Sequence, residues 1–150
     1  MNKALITVQA GQLSKQKIAQ LNLMLKQHYR RFVCDTKLQT VWCVVPTGQA
    51  FTKYELSRSS LLTIECPNGF EQRKRISMLK ACERDWVAIT GQHSDDLMLA
   101  LVDEEVFKTV LQSNQNRLST FGKLHMGFHL AAAILRSLVA RTPTTFNPNL

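Results

Sequence analysis

The amino-acid sequence predicts an α/β fold made of two tandem β-α-β units. A short apolar segment, an amphipathic helical pattern and a second apolar segment follow one another, and this order occurs again further along the chain. The two copies are offset by roughly 57 residues, which is a little longer than common repeat units. Within each unit we expect parallel strands joined by a right-handed crossover, because the connecting helix packs back on the sheet comfortably only that way.

The first unit covers residues 1–45. It begins with the apolar strand Ala4–Val8 and continues with a basic helix, Ser14–Phe32, whose first residue is a favourable N-cap. Its second strand, Leu38–Val45, is rich in β-branched and aromatic residues and stops before a proline. The apolar residues of the helix recur every three or four positions and predict the face that covers the sheet: Ile18, Leu21, Leu25, Tyr29 and Phe32.

The second unit covers residues 58–105 and follows the connector Thr47–Ser57. Leu61–Ile64 is predicted as its first strand and Glu71–Ile89 as its helix. The continuous apolar run Leu97–Val102 is typical of an interior strand that is covered on both faces. The helix shows one apolar stripe with a glycine placed to close it: Ile76, Leu79, Cys82, Trp86, Ile89 and Gly91.

Equivalent apolar positions in the two units support the duplication. We therefore expect one four-stranded sheet with two covering helices. The pairs are Leu5 with Leu61 or Leu62, Ile18 with Ile76, Leu21 with Leu79, and Val45 with Val102.

The doubling stops after the second unit, and residues 106–150 form a C-terminal extension. Gln112–Asn116 is polar and predicts a loop, Lys123–Arg141 has helical spacing, and Thr142–Leu150 has the composition of a tail. Two histidines, His125 and His129, are four residues apart on the predicted helix. This spacing can hold a metal, but no third ligand is evident, so no metal site and no cofactor are expected.

Length and composition bound the class of protein. A chain of 150 residues is expected to form one domain with one core. No apolar run approaches the roughly 18 residues needed to cross a bilayer, so no membrane association is expected. The four cysteines form no Cys-x-x-Cys pair, which makes a cysteine zinc site improbable and favours reduced thiols in the cytoplasm.

The net charge of +8 is concentrated at the two ends of the chain. Residues 1–34 and 106–150 carry Lys and Arg but no acidic residue, whereas all of the acidic residues lie between them. Such asymmetry is typical of a surface for a polyanion or of a site for small anions. A solvated basic helix face is the simpler interpretation, because no stacking aromatic residues alternate with the cations as single-strand binding requires.

Several short motifs in the two units resemble the tautomerase superfamily, and above all its malonate semialdehyde decarboxylase branch. They are Ala4-Leu5-Ile6-Thr7-Val8, Gln39-Thr40-Val41, Arg58-Ser59-Ser60-Leu61-Leu62-Thr63-Ile64, Glu71-Gln72, Glu83-Arg84-Asp85, Asp95-Asp96 and Ala100-Leu101-Val102. The resemblance covers about residues 4–105. It implies a trimer of double units and chemistry at an N-terminal proline, a secondary amine that can be neutral near pH 7.

This chain has Ala4 where the resemblance places the proline, so no catalytic residue is assigned. The resemblance also implies an aspartate before the second strand, for which Asp35 is the candidate, one residue early. Arg58 matches the arginine before the third strand and could orient an anion or stabilise a subunit interface. Arg73 and Arg75 could hold a carboxylate, although their spacing of two also fits two solvated side chains on different helix faces.

Three functions remain open at this point. The first is a divergent enzyme that tautomerises or decarboxylates a small 2-oxo acid or enol without the usual proline. The second is a non-catalytic trimeric binding or scaffold protein. The third, less favoured, is a polyanion or RNA binder that uses the basic ends of the chain.

Overall fold

The computed structural model describes residues 2–116, 131, 132, 135 and 144–146, and the side chains of 2–110 and 112 among the continuous part. The predicted elements of both units are present, some with shifted ends. The elements are β1 (Asn2–Gln9), α1 (Lys15–Phe32), β2 (Leu38–Val45), β3 (Phe51–Thr52), β4 (Glu55–Leu56), β5 (Ser60–Cys66), α2 (Gln72–Thr90), a short 3₁₀ helix (Ser94–Asp96), β6 (Leu97–Asp103), α3 (Glu104–Asn116) and β7 (Thr144–Phe146).

The main sheet has the strand order β6-β5-β1-β2-β7. Strands β1 and β2 are parallel, as are β5 and β6, and the two units meet along the antiparallel pair β1 and β5. The predicted parallel pairing within each unit is therefore confirmed. The antiparallel junction places the carboxyl end of β1 beside the amino end of β5.

The core lies between the sheet and helices α1 and α2. Alternate residues of β1 point into it, because successive side chains of a strand face opposite sides of the sheet. Trp42 and Trp86 stack at its centre with ring centroids 6.2 Å apart, and both side chains are fully buried. The indole N–H of Trp86 donates to the side chain of Gln92, and that of Trp42 has no acceptor among the described residues.

Helix α1 has the predicted apolar face, and Ser14 caps its first turn. The predicted stripe of helix α2 is confirmed except at its first residue. Cys82 and Trp86 are fully buried, and Leu79 and Ile89 pack against the core. Ile76 is 44% exposed, and Met78, which was not predicted, is fully buried instead.

The two helices are related as the duplication predicts, with an offset that is uniform along their buried faces. His28 of α1 and Asp85 of α2, which are 57 residues apart, pair with each other at 2.7 Å. The same offset matches three pairs of buried positions, Leu21 with Met78, Leu25 with Cys82, and Tyr29 with Trp86. The predicted matches of Ile18 with Ile76 and of Leu21 with Leu79 are thus one residue out of register.

Strand β6 differs from the prediction of an interior strand. Its pairing with β5 leaves its other side without a strand among the described residues, so it is an edge of the sheet. Leu101 faces the core, but Met98 is 65% exposed on the opposite face. A continuous apolar run does not require two covered faces within one chain.

The connector between the units contains a two-stranded hairpin, β3 and β4, that the sequence analysis did not predict. Its turn residues Lys53 and Tyr54 both have positive φ angles, 51° and 69°. This is the turn type whose twist suits a tight hairpin, even though neither residue is a glycine. The hairpin exposes the side chains of Phe51 and Leu56, which are 61% and 56% accessible.

The C-terminal extension departs from two predictions. Gln112–Asn116, predicted as a loop, completes helix α3, and part of the predicted tail, Thr144–Phe146, adds to the sheet beside β2. Most of the helix predicted over 123–141 lies outside the described residues, as do both of its histidines. Among the described helices, none combines the length and the apolar character that a membrane span requires.

Candidate functional site

A cleft of about 600 Å³ opens at the carboxyl end of β1, where the two units meet. Three segments form most of its walls: the loop after β1 (9–13), the residues before β5 (57–58) and the loop after α2 (90–93). Asp96, just before β6, lines it as well. All three segments are connections, because β1 and α2 end at this corner of the molecule and α1 and β5 begin there. We call this space the Arg58 cleft.

Arg58 is the one arginine that lines this cleft among the described residues. Its side chain is exposed, and its guanidinium forms no ion pair with any acidic side chain in residues 2–112. By contrast, Arg30, Arg75 and Arg84 each bond an aspartate. A guanidinium without a protein partner can bind a carboxylate with two parallel hydrogen bonds.

Arg75 lies at the opposite end of β5, and its surroundings differ from the predicted solvated state. Its guanidinium is largely buried, bonds the Asp103 carboxylate at 2.7 Å and also donates to the Leu101 carbonyl and to Cys66 Sγ. Asp103, the last residue of β6, is therefore an ion-pair partner. The hydrogen bond from Arg75 lowers the pKa of Asp103, and burial raises the pKa of the Cys66 thiol to about 11.

The other two candidate binding residues are Arg73 and Asp35. Arg73 is exposed near the start of α2, and its backbone carbonyl accepts from the Ser77 hydroxyl at 2.9 Å. Asp35 pairs with Arg30 at 2.8 Å on the surface. The ends of β5, which has seven residues, are about 20 Å apart, so Arg58 and Arg75 cannot hold the same small anion.

The position assigned to the proline lies inside the sheet. Ala4 is the third residue of β1, is fully buried and pairs with Thr40 and Ile64 of the flanking strands. The strand itself begins at Asn2, and the backbone N–H of Lys3 donates to the carboxylate of Glu65 at 2.9 Å. A group at residue 4 is thus out of reach of a ligand in solution.

A polar cluster at the amino end of β1 was missed by the sequence analysis. The Asn2 side chain bonds the hydroxyl of Tyr29 and lies 3.4 Å from Thr36 Oγ1, which is 2.8 Å from Cys34 Sγ. Tyr29 belongs to the predicted apolar stripe of α1. Its ring does lie in the core, and burial raises the pKa of its hydroxyl well above the usual value.

Cys34 differs from the other cysteines because the polar cluster lowers the pKa of its thiol. Burial opposes ionisation, but hydrogen bonds from Thr36 and Tyr29 outweigh burial and lower the pKa of the thiol. A short polar segment after a helix is a weak sequence signal. Only the return of α1 to the start of β1 brings Asn2 and Cys34, 32 residues apart, into contact.

No protein-family model matches this sequence, and no curated protein matches it. The fold, however, is found in solved structures. The chain superposes on native Ps01740 with a TM-score of 0.63 and 19% identity, over 67% of this chain and 92% of that chain.

Two further solved structures show the same arrangement. Pt0534 inactivated by 2-oxo-3-pentynoate gives a TM-score of 0.62 at 15% identity, over 67% of this chain and 84% of that chain. The Q0 fused 4-OT symmetric trimer gives 0.59 at 13% identity, with the same two coverages. The chain therefore has the two-unit β-α-β fold of the tautomerase superfamily, as its sequence motifs predicted.

Proposed function

We propose that this protein binds a small carboxylate, of the 2-oxo acid class, in the Arg58 cleft. The observation that carries the proposal is the guanidinium of Arg58, which lines a cleft of ligand size and has no acidic partner among the described residues. A charged hydrogen-bond donor that the protein leaves unpaired beside a cleft is suited to an anionic ligand.

The likeness to Pt0534 supports the class of ligand, because the compound that inactivates that protein, 2-oxo-3-pentynoate, is a 2-oxo carboxylate. The likeness to a fused 4-OT trimer supports assembly of this chain as a homotrimer. We propose binding rather than proline-based catalysis as the core function, since β1 contains no proline and residue 4 is buried.

The direct test is titration with 2-oxobutanoate, followed by chemical-shift changes in the protein. We expect saturable binding that weakens by about ten- to a hundredfold in Arg58→Gln, the loss of a hydrogen bond to a charged group. Arg73→Gln is the matched control, since Arg73 is an exposed arginine outside the cleft, and it should bind as the natural chain does. Equal affinity of the natural and Arg58→Gln chains would contradict the proposal.

The same samples in D₂O test the enzymatic alternative. An enzyme that forms the enol of 2-oxobutanoate removes a proton from C3, and a deuteron then replaces it. Loss of the C3 proton signal that depends on Arg58 would show turnover in the cleft. We expect binding without exchange above the rate of the buffer alone.

A further inference from the structure

The backbone of Arg58 is held by two carboxamides from different units. Gln12, in the loop after β1, donates its Nε2 to the Arg58 carbonyl at 2.7 Å, and Gln92, in the loop after α2, donates its Nε2 to the same oxygen at 2.8 Å. A carbonyl oxygen has two lone pairs, so this acceptor is fully used by two donors.

The hydroxyl of Ser60 joins the two carboxamides into a closed ring. It accepts from Gln12 Nε2 at 3.1 Å and donates to Gln92 Oε1 at 3.0 Å, and Ser60 itself is fully buried. The second N–H of Gln92 donates to the carbonyl of Asp96 at 2.8 Å. The ring thus ties the cleft to the starts of both β5 and β6.

Two more bonds anchor the ring in rigid parts of the fold. The indole N–H of Trp86, a fully buried core residue, donates to Gln92 Oε1 at 3.0 Å. The backbone N–H of Gln9, at the end of β1, donates to Gln12 Oε1 at 2.9 Å. Each carboxamide therefore uses both its oxygen and its nitrogen, and a fully satisfied polar network of this kind fixes the backbone that it holds.

We infer that Gln12 and Gln92 are positioning residues, which hold the main chain of Arg58 so that its guanidinium meets a carboxylate in the cleft. This inference rests on the proposed function. The ring bonds the carbonyl of Arg58 and leaves its guanidinium without a protein partner among the described residues. Such preorganisation raises affinity because less conformational freedom is lost when the ligand binds.

A purely structural role for the ring predicts a different result from a positioning role. If the ring only closed the loops, its loss would loosen the whole cleft and weaken binding whether or not Arg58 were present. If it acts through Arg58, its loss should have no effect once the guanidinium has been removed. A double-mutant cycle separates the two roles.

The cycle uses Gln92→Met, Arg58→Gln and the double variant, with 2-oxobutanoate as the ligand in chemical-shift titrations. We expect Gln92→Met to weaken binding about three- to tenfold in the natural background, and to have no effect in the Arg58→Gln background. Gln12→Met should behave in the same way. Equal weakening in both backgrounds, or none in either, would overturn the inference.

A spectrum of the folded chain guards against loss of folding. The Gln92→Met substitution should weaken binding while the near-ultraviolet circular dichroism stays that of the natural chain. Gln27→Met, on the exposed surface of α1, is the control and should bind normally. If Arg58→Gln alone leaves the affinity unchanged, the proposed function fails; if only Gln92→Met leaves it unchanged, the positioning role fails.

Discussion

Cys34 is the residue at which hydrogen bonding most clearly changes chemical reactivity. Its pKa is lowered, whereas burial raises the pKa of the other three thiols, that of Cys82 to about 12. The thiolate is the reacting form of cysteine, so the fraction ionised near pH 7 governs the rate of alkylation. Cys34 and Cys43 are both half-buried, whereas Cys66 and Cys82 are buried.

We expect iodoacetamide at pH 7 to label Cys34 before any other thiol in residues 2–112. Thr36→Val keeps the shape of the side chain but removes the hydroxyl beside the sulfur, so labelling should slow, by about tenfold for each unit by which the pKa rises. Peptide mass spectrometry measures the order and the rates. Cys43→Ser is the control, and first labelling of Cys43 in the natural chain would contradict the prediction.

At the scale of elements, one ion pair joins the start of α2 to the end of β6. Arg75 reaches back from the helix to Asp103, the last residue of the strand, which also lies 3.5 Å from the backbone nitrogen of Gly69. Because the pKa of Asp103 is lower in the folded chain than its usual value of 3.8, its carboxylate stabilises the fold above that pH. The contribution is lost as the pH falls through the lowered pKa.

Asp103→Asn should therefore be less stable than the natural chain at pH 7, and the difference should shrink below pH 4, where the natural carboxylate becomes protonated. Urea unfolding at pH 7 and pH 3 measures both differences. Glu55→Gln, on the exposed hairpin, should leave stability unchanged at either pH. A gap between the Asp103→Asn and natural chains that stays constant from pH 7 to pH 3 would show that the ion pair has no such role.

For the whole molecule, the sheet face opposite α1 and α2 exposes large apolar side chains that assembly could bury. Leu61 and Met98 lie exposed on that face, and the hairpin adds Phe51 and Leu56. Full burial of one side chain of this size is favourable by about 1.5–3 kcal/mol. A homotrimer that packs these faces together would cover them.

We expect sedimentation to give the mass of three chains. Met98→Glu should shift the natural trimer towards monomer, because it places a charge on the face that assembly buries. Leu23→Glu is the matched control, since Leu23 is similarly exposed but lies on the outer surface of α1. A monomeric natural chain, or equal dissociation of both variants, would exclude assembly through the sheet face.

The amino-acid sequence by itself determined the order of the elements within the two units, the parallel pairing inside each unit, the apolar face of α1 and the likeness to the tautomerase superfamily. These features depend on local periodicity and on the length of the connections, which a single sequence contains. Ser14 as a helix cap and the β-branched residues of β2 are examples that the structure confirmed.

Only the tertiary structure decided which residues meet. The pairing of Arg75 with Asp103 and the ring of Gln12 and Gln92 around Arg58 both join segments that are distant in sequence. At the start of α2, packing buries Met78 and leaves Ile76 exposed, although the spacing of the apolar residues predicted Ile76. Periodicity reports which side of an element is apolar on average, whereas the partner of each charged or polar group is fixed by the contacts that the whole fold creates.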